Sequence, residues 1–365
     1  IYIMKKKTNI KTRPKKNPSL RKIARKKINL RPALKKFKDN PIIAPRTENE
    51  WEAWQTFNPA AILLGNKVHF LYRAIGSDGV SRLGYAVSND GLAIDERMSY
   101  PIYEHPSRQR TFNIYSYFSG GSWGGAEDPR IVQVDKEDTL YMTYTACDNG
   151  LRVALTSIKV DDFLNKKWKW KPPVLISSPR EVHKNWVIFP EKINGQYAIL
   201  HNINPEISID YFDSLEFEDG VYIKSCYESK GKKNCWDSYM RGVGPPPIKT
   251  KDGWLLFYHA MDARDLSKYK VGAMLLDLND PTKILYRSKK PILEPKESYE
   301  NNGFKAGVVY ASGAVIKNGE LLVYYGGADS YVCVAYANLE EFLNQLLTTG
   351  EPKLGRLKII KKSKE

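Results

Sequence analysis

After residue 50 the chain alternates short apolar runs with tight turns, and a single template recurs. An opening with Pro or Gly leads into an apolar run, a hairpin turn, a second apolar run ending in Tyr or His, and then a third strand. The passes are "NPAAILLGNKVHFLYRAIG", "EDPRIVQVDKEDTLYMTYTAC", "VIFPEKINGQYAILHNI", "GPPPIKTKDGWLLFYHAMD" and "SGAVIKNGELLVYYGGAD". They open near Asn58, Asp128, Ile188, Pro246 and Ser312, about 57 to 70 residues apart. Their turns (GN, DKED, NG, DG and NG) carry hairpin chemistry. Helical periodicity is almost absent outside the N-terminal arm and the segment "NLEEFLNQLL". Five units of three or four antiparallel strands, each too small to bury its own faces, predict an all-β fold. The expectation is a five-bladed β-propeller rather than a pair of β-sandwiches. In that architecture the first strand of each unit lines a common axis, so Asn58, Asp128 and Asp329 would face one cavity.

Composition changes the picture at the two ends. The net charge is +16, yet residues 1–39 hold sixteen Lys and Arg against one acid, Asp39, and the remainder is almost neutral. The expected organisation is a basic arm (1–39), a propeller body (40–350) and a short basic tail (351–365). Such an arm can attach to RNA or an anionic lipid surface, or be a solvated tail or a strap on the body. Met4 is the expected start of translation. No run approaches the ~20 apolar residues of a membrane span, and no secretory hydrophobic segment follows the basic start. The four cysteines and five histidines lack metal-ligand spacing. A reduced, cytoplasmic protein without metal or cofactor is therefore expected. Homo-oligomerisation stays open.

The stretch "GGSWGGAEDPRI" carries the first candidate chemistry. Glu127 and Asp128 stand side by side at the expected mouth of the second unit, followed by Pro129 and Arg130. The glycines before them would let backbone approach a ligand, and Pro129 would remove a ladder donor where pairing begins. A carboxyl there can serve as a general acid when its pKa is tuned; equally, Asp128 can close a turn by binding its own backbone. Trp51, Trp54, Phe57, Tyr115, Tyr117, Trp123, Trp186, Tyr310 and Tyr325 fall at unit openings and crossings. Aromatic faces beside carboxylates and amides suit a sugar-binding cleft, although each ring alone also suits the core. His259 alternates with apolar positions and fits either core or channel. Ser-His-Asp order, a phosphate-cradling glycine loop and a metal cluster are all absent from the sequence.

Taken together, "FNPAAI" with "FLYRA", "GGAEDPRI", "FPEKINGQY", "GPPPIKTKDGWLLFYH", "DPTKILYRSKKPILEP" and "LLVYYGGAD" resemble glycoside hydrolase family 130. That family comprises β-mannoside phosphorylases and related β-mannosidases on a five-bladed propeller, and the likeness runs from Trp51 to Leu347. The resemblance implies that Asp128 is the single proton donor, acting through a sugar hydroxyl, with inversion at the anomeric carbon. It places Asp329 at the bond cleaved and Asn58 in a substrate-facing entry; Glu127, Arg130 and Tyr325 are further candidates for contact with an oligosaccharide substrate. Arg73 and His259 match residues associated with phosphate.

Two positions depart from the phosphorylase pattern. Asn202 follows His201 where an Arg is common, and Met240 then Arg241 stand where a Lys is common. A phosphate dianion needs several fixed cations, which only Arg241 or Lys184 could replace here. The reading therefore leans to inverting hydrolysis of β-mannosides, with Glu191 or Glu206 as the base that activates water. Phosphorolysis to mannose 1-phosphate, with inorganic phosphate as co-substrate, is the alternative. A non-catalytic sugar-binding propeller is the alternative of another class.

Overall fold

A computed structural model of the chain describes residues 34–106, 113–147, 150–226 and 234–349. Most of the expected basic arm and the expected tail, 351–365, lie outside the described residues. The described body is almost entirely antiparallel β-structure, as the repeated pattern demands.

Five antiparallel groups follow one another along the chain. The first is Gln55–Leu64, Lys67–Ile75 and Val80–Ser88, with Glu96–Arg97 at its edge. The second is Gly124–Gln133, Thr139–Cys147 and Leu151–Lys159, edged by Val174–Leu175. A short parallel pairing, Val80 with Gly124 and Ser81 with Gly125, merges these two into one eight-stranded sheet. The third, Val187–Ile188, Tyr197–Asn202 and Ser208–Phe212, is the smallest. The fourth runs through Tyr239–Val243, Gly253–Asp262, Asp265–Leu276 and Ile284–Arg287. The fifth comprises Val309–Lys317, Glu320–Gly327 and Tyr331–Asn338. Its outermost strand is Lys35–Lys36, paired with Tyr336 and Ala335. The end of the expected arm is thus part of a sheet: Leu34 is buried, and Lys36 pairs with the buried carboxylate of Glu300 at 2.5 Å.

Each group buries one face against the next. Leu71 and Leu83 of the first meet Ile131 and Met142 of the second, whose Val153 and Leu155 meet Ile188 and Ile199 of the third. Ala198 and Leu200 of the third pack on Trp254 and Leu256 of the fourth, and Phe257 and Val271 of the fourth on Val309 and Val323 of the fifth. Finally Leu322 and Tyr324 of the fifth pack against Val68 and Phe70 of the first. No group could be stable alone with two apolar faces exposed; serial stacking solves that for all of them.

The repeat extends to side chains. In the first group the Tyr72 hydroxyl donates to Glu52 at 2.8 Å, and Arg97 bonds both Tyr72 (3.0 Å) and Glu52 (2.5 Å). In the fourth, Tyr258 donates to Asp237 at 2.7 Å, and Arg287 bonds both. Each tyrosine ring lies over a glycine directly across the ladder, Gly84 or Gly272, where a Cβ would sit 2.2 or 2.4 Å from the ring. These locks fasten edge strands to inner strands. Tyr72→Phe leaves Glu52 and Arg97 short of a buried partner, so it is expected to cost about 1–3 kcal/mol. Urea unfolding checks this; a loss under about 0.5 kcal/mol would make the lock redundant.

Candidate active site

The first strands of four groups carry a β-bulge at matching places: between Phe57 and Ala60, Glu127 and Arg130, Met240 and Gly242, and Ala311 and Gly313. Asn58-Pro59 and Asp128-Pro129 occupy the first two. Proline suits an unpaired bulge position because it has no N–H to give the ladder. Asn58 and Asp128 adopt the left-handed conformation there, with φ of 45° and 50°. Asp128 therefore sits inside a ten-residue strand rather than at its opening, and its carboxylate does not cap its own turn. The bulges turn these side chains toward each other. Asn58 Nδ2 donates to Asp128 Oδ1 at 2.8 Å, and the Ser312 hydroxyl donates to the Pro59 carbonyl at 3.0 Å. Gly326 makes room for Asn58: a Cβ there would lie 2.1 Å from Asn58 Oδ1.

Beneath Asp128 lies a charged layer without solvent contact. Arg73 donates to Asp128 Oδ1 (3.2 Å), Glu127 Oε1 (2.9 Å), and the Ser81 and Ser122 hydroxyls. Glu127 also accepts from Ser116 (2.6 Å) and Ser119 (2.7 Å). Arg130 reaches across groups to the Tyr310 hydroxyl (2.7 Å), Asn185 Oδ1 (3.1 Å) and the Gly244 carbonyl (3.2 Å). Glu127, Arg73 and Arg130 are thus buried and fully engaged with protein groups. Arg73 and Arg130 both bond Asp128 directly, through its carboxylate and its carbonyl respectively. Before Glu127, a Cβ on Gly125 would lie 2.2 Å from the Ser81 carbonyl, so the close approach is strand to strand.

His259 and Tyr325 are both fully buried. His259 Nε2 donates to the Ala311 carbonyl at 2.8 Å, and its ring stacks on Tyr310 with centroids 4.0 Å apart. Burial, helped by Arg130, pushes its pKa down to about 3, so it is a neutral imidazole whose Nδ1 has no protein partner. It offers a hydrogen-bond acceptor, not a positive charge. Tyr325 is a core residue whose hydroxyl donates to Glu300 at 2.8 Å. Glu191 lies in the turn beside Asp135, at the opposite end of the second group from Asp128, where Lys249 pairs with it. Seven residues of extended chain separate Asp128 from that end, roughly 20 Å, so Glu191 does not reach the site. Glu206 is exposed on the turn after Asn202.

Besides Arg73 and Arg130, Lys184 acts on Asp128 electrostatically, and Arg241 acts on Lys184. Lys184 and Arg241 line a cavity of about 160 Å³ with Asn185, Trp186, His201 and Asn202. Lys184 Nζ donates to Ser119 Oγ at 3.1 Å, and burial lowers its pKa despite Asp128. Burial alone would raise the Asp128 carboxyl, but Arg73, Arg130 and Lys184 hold it below the ordinary range. Asp329 goes the other way, pushed up to about 6 by burial against the opposing charges of Lys305 and Arg73. Two neighbouring carboxyls with separated proton affinities suit acid–base work. Asn202 serves its own loop, its amide donating to the Cys226 carbonyl at 2.7 Å and its oxygen accepting from Ile203 N at 2.9 Å.

Sequence reading missed the helix Ile114–Gly120, which supplies Ser116 and Ser119, and missed Asn185 and Lys305. The helix signal was present. Asn113 caps Tyr115 and Ser116 N–H groups, and Gly121 ends the helix at φ 95°. Tyr and Ser between those caps gave no apolar period to find.

Bulged strands that gather paired carboxylates, amides and buried cations suit an enzyme acting on glycosidic bonds. The profile of glycoside hydrolase family 130, described as β-1,4-mannooligosaccharide phosphorylase, matches residues 19–348, and the chain belongs to this family. It is 39% identical to the 1,2-β-oligomannan phosphorylase of Thermoanaerobacter sp. (strain X514), over 84% of this chain and 98% of that protein. It is 37% identical to the β-1,2-mannobiose phosphorylase of the same organism, with the same coverage. Among solved structures it resembles the β-1,2-mannobiose phosphorylase from Listeria innocua in complex with β-1,2-mannobiose. That similarity has a TM-score of 0.67 and 25% identity, and covers 86% of this chain and 99% of that one. These relatives are phosphorylases, so the comparisons favour phosphorolysis over the hydrolysis toward which the sequence reading leaned.

Proposed function

We propose that this protein is an inverting β-mannoside phosphorylase acting on β-1,2-linked manno-oligosaccharides, built as a five-bladed propeller. The propeller reading rests on the five successive cores, the fifth of which joins the last group to the first, and on the Lys35–Lys36 strand that completes the last group from the start of the chain. The observation that carries the phosphorylase reading is Lys184, whose charge acts on Asp128 and which lines a cavity together with Arg241. Cations there serve an anionic nucleophile; a water nucleophile would call for a carboxylate. Lys184 and Arg241 thus stand in for the charges missing at Asn202 and Met240.

Phosphate attacks the anomeric carbon from the Lys184 side, the bond to the leaving oxygen breaks, and a proton from Asp128 passes through a mannose hydroxyl to that oxygen. Inversion of a β-mannoside gives α-mannose 1-phosphate. An anion entering beside Lys184 offsets the charge that keeps Asp128 ionised and adds like charge next to it, so phosphate binding raises Asp128's proton affinity. The proton that hydrogen phosphate carries in then restores the acid after turnover.

Incubation with β-1,2-mannobiose should release mannose 1-phosphate only when phosphate is present. Free mannose in equal yield without phosphate would overturn the reading. Lys184→Ala removes a charge-assisted contact worth ~1.5–3 kcal/mol, so the KM for phosphate should rise by roughly one to two decades.

A further inference from the structure

The helix Ile114–Gly120 has two unlike faces. Ser116 and Ser119 point into the site and bond Glu127, and Ser119 also takes a bond from Lys184. The other face exposes large rings: Tyr115 at 55%, Tyr117 at 41% and Phe118 at 69%. Phe304, 46% exposed, continues this surface from a different part of the chain. Its ring lies on Gly121, where a Cβ would sit 2.7 Å away, and meets Tyr117 edge-on with centroids 6.1 Å apart. Tyr117 and Phe118 centroids are also 6.1 Å apart. The backbone N–H of Phe304 donates to Ser330 Oγ at 2.8 Å, which ties the ring to the turn that holds Asp329. A run of exposed aromatics therefore leads outward from the two site carboxylates.

We infer that Tyr117, Phe118 and Phe304 form a distal sugar platform that takes the mannosyl units on the leaving-group side, beyond the bond cleaved, and so sets a preference for longer chains. This rests on the β-mannoside reading above. The occupant follows from continuity. Arg73, Arg130 and Glu127 close the floor beneath Asp128, so an oligosaccharide extends away from it, and the helix whose Ser119 bonds Glu127 and Lys184 exposes these rings on that outward side. A sugar ring offers an apolar C–H face to an aromatic and hydroxyls to the carboxylates behind it. An apolar partner protein would suit the rings but not the charged floor they adjoin.

The test uses Phe118→Ala, because Phe118 is the most exposed of the rings, at 69%. Phosphorolysis of β-1,2-mannobiose and β-1,2-mannotetraose is compared, and tetraose binding is measured directly by calorimetry. The ratio of kcat/KM for tetraose over biose should fall by about three- to tenfold, with a matching loss of tetraose affinity. An unchanged ratio, or equal losses on both substrates, overturns the platform. So does an unchanged ratio together with a smaller sedimenting species than wild type, which would give the surface to a second copy of the chain. If wild type turns over neither substrate but still binds tetraose in a Phe118-dependent way, the platform stands and the phosphorylase reading falls. If tetraose does not bind at all, the platform falls with it.

Discussion

Asp128→Asn is expected to lower phosphorolysis by ~10²–10⁴ in kcat, the usual worth of a positioned general acid, while leaving the fold intact. The amide is nearly isosteric and its oxygen can still accept from Asn58 Nδ2, which now lies 2.8 Å from Oδ1. Arg73 would lose one carboxylate but keep Glu127 at 2.9 Å and its serine partners. The loss should therefore appear in turnover and not in the thermal midpoint. Substrates with a good leaving group need less protonation, so an activated aryl mannoside should recover part of the lost rate. Activity within a few-fold of wild type on mannobiose would remove Asp128 from the acid role. Asp329, whose carboxyl titrates near 6, would then be the next candidate.

The fold was legible because its signal is long and repetitive. Four of the five passes begin within about three residues of a strand, whereas the fourth opens after its group's first strand, Tyr239–Val243, and the hairpin turns sit where the pattern put them. What stayed hidden was pairing at a distance. Arg73 lies at matching depth to His259 in its group, which made both look like ligands of one anion. Yet Arg73 faces Glu127 across 54 residues of sequence, while His259 meets the Ala311 carbonyl across 52. No pattern within one repeat shows that the partner in the next repeat is already charged. Asn185 precedes the short third-group strand Val187–Ile188, outside the template, so it stood out only after the chain was folded. The bulges escaped for a related reason: Asn-Pro and Asp-Pro read as openings of strands, whereas pairing continues on both sides of them.

Arg73→Ala is expected to act on stability first, not on phosphate affinity. Its guanidinium is wholly buried, stacked over Phe57 at 4.7 Å, and donates to both Glu127 and Asp128. Truncation would leave two adjacent carboxylates without their main countercharge, and breaking a buried pair costs ~3–5 kcal/mol. Against a typical total of ~5–15 kcal/mol, the thermal midpoint should fall by on the order of 10 °C. The pH dependence has a definite sign. A carboxyl whose proton affinity is lowered in the folded state, as that of Asp128 is, stabilises the protein above the unfolded carboxylate range and loses that contribution as pH falls. Removing Arg73 removes much of that contribution, so wild type and variant should differ most near neutrality and converge on acidification. Thermal melts at several pH values, beside phosphate titrations, separate the two roles. A variant with an unchanged midpoint and a KM for phosphate raised tenfold would return Arg73 to the anion site. A destabilised variant whose residual activity keeps the wild-type KM for phosphate fits a brace beneath Asp128, with Lys184 and Arg241 left to hold the nucleophile.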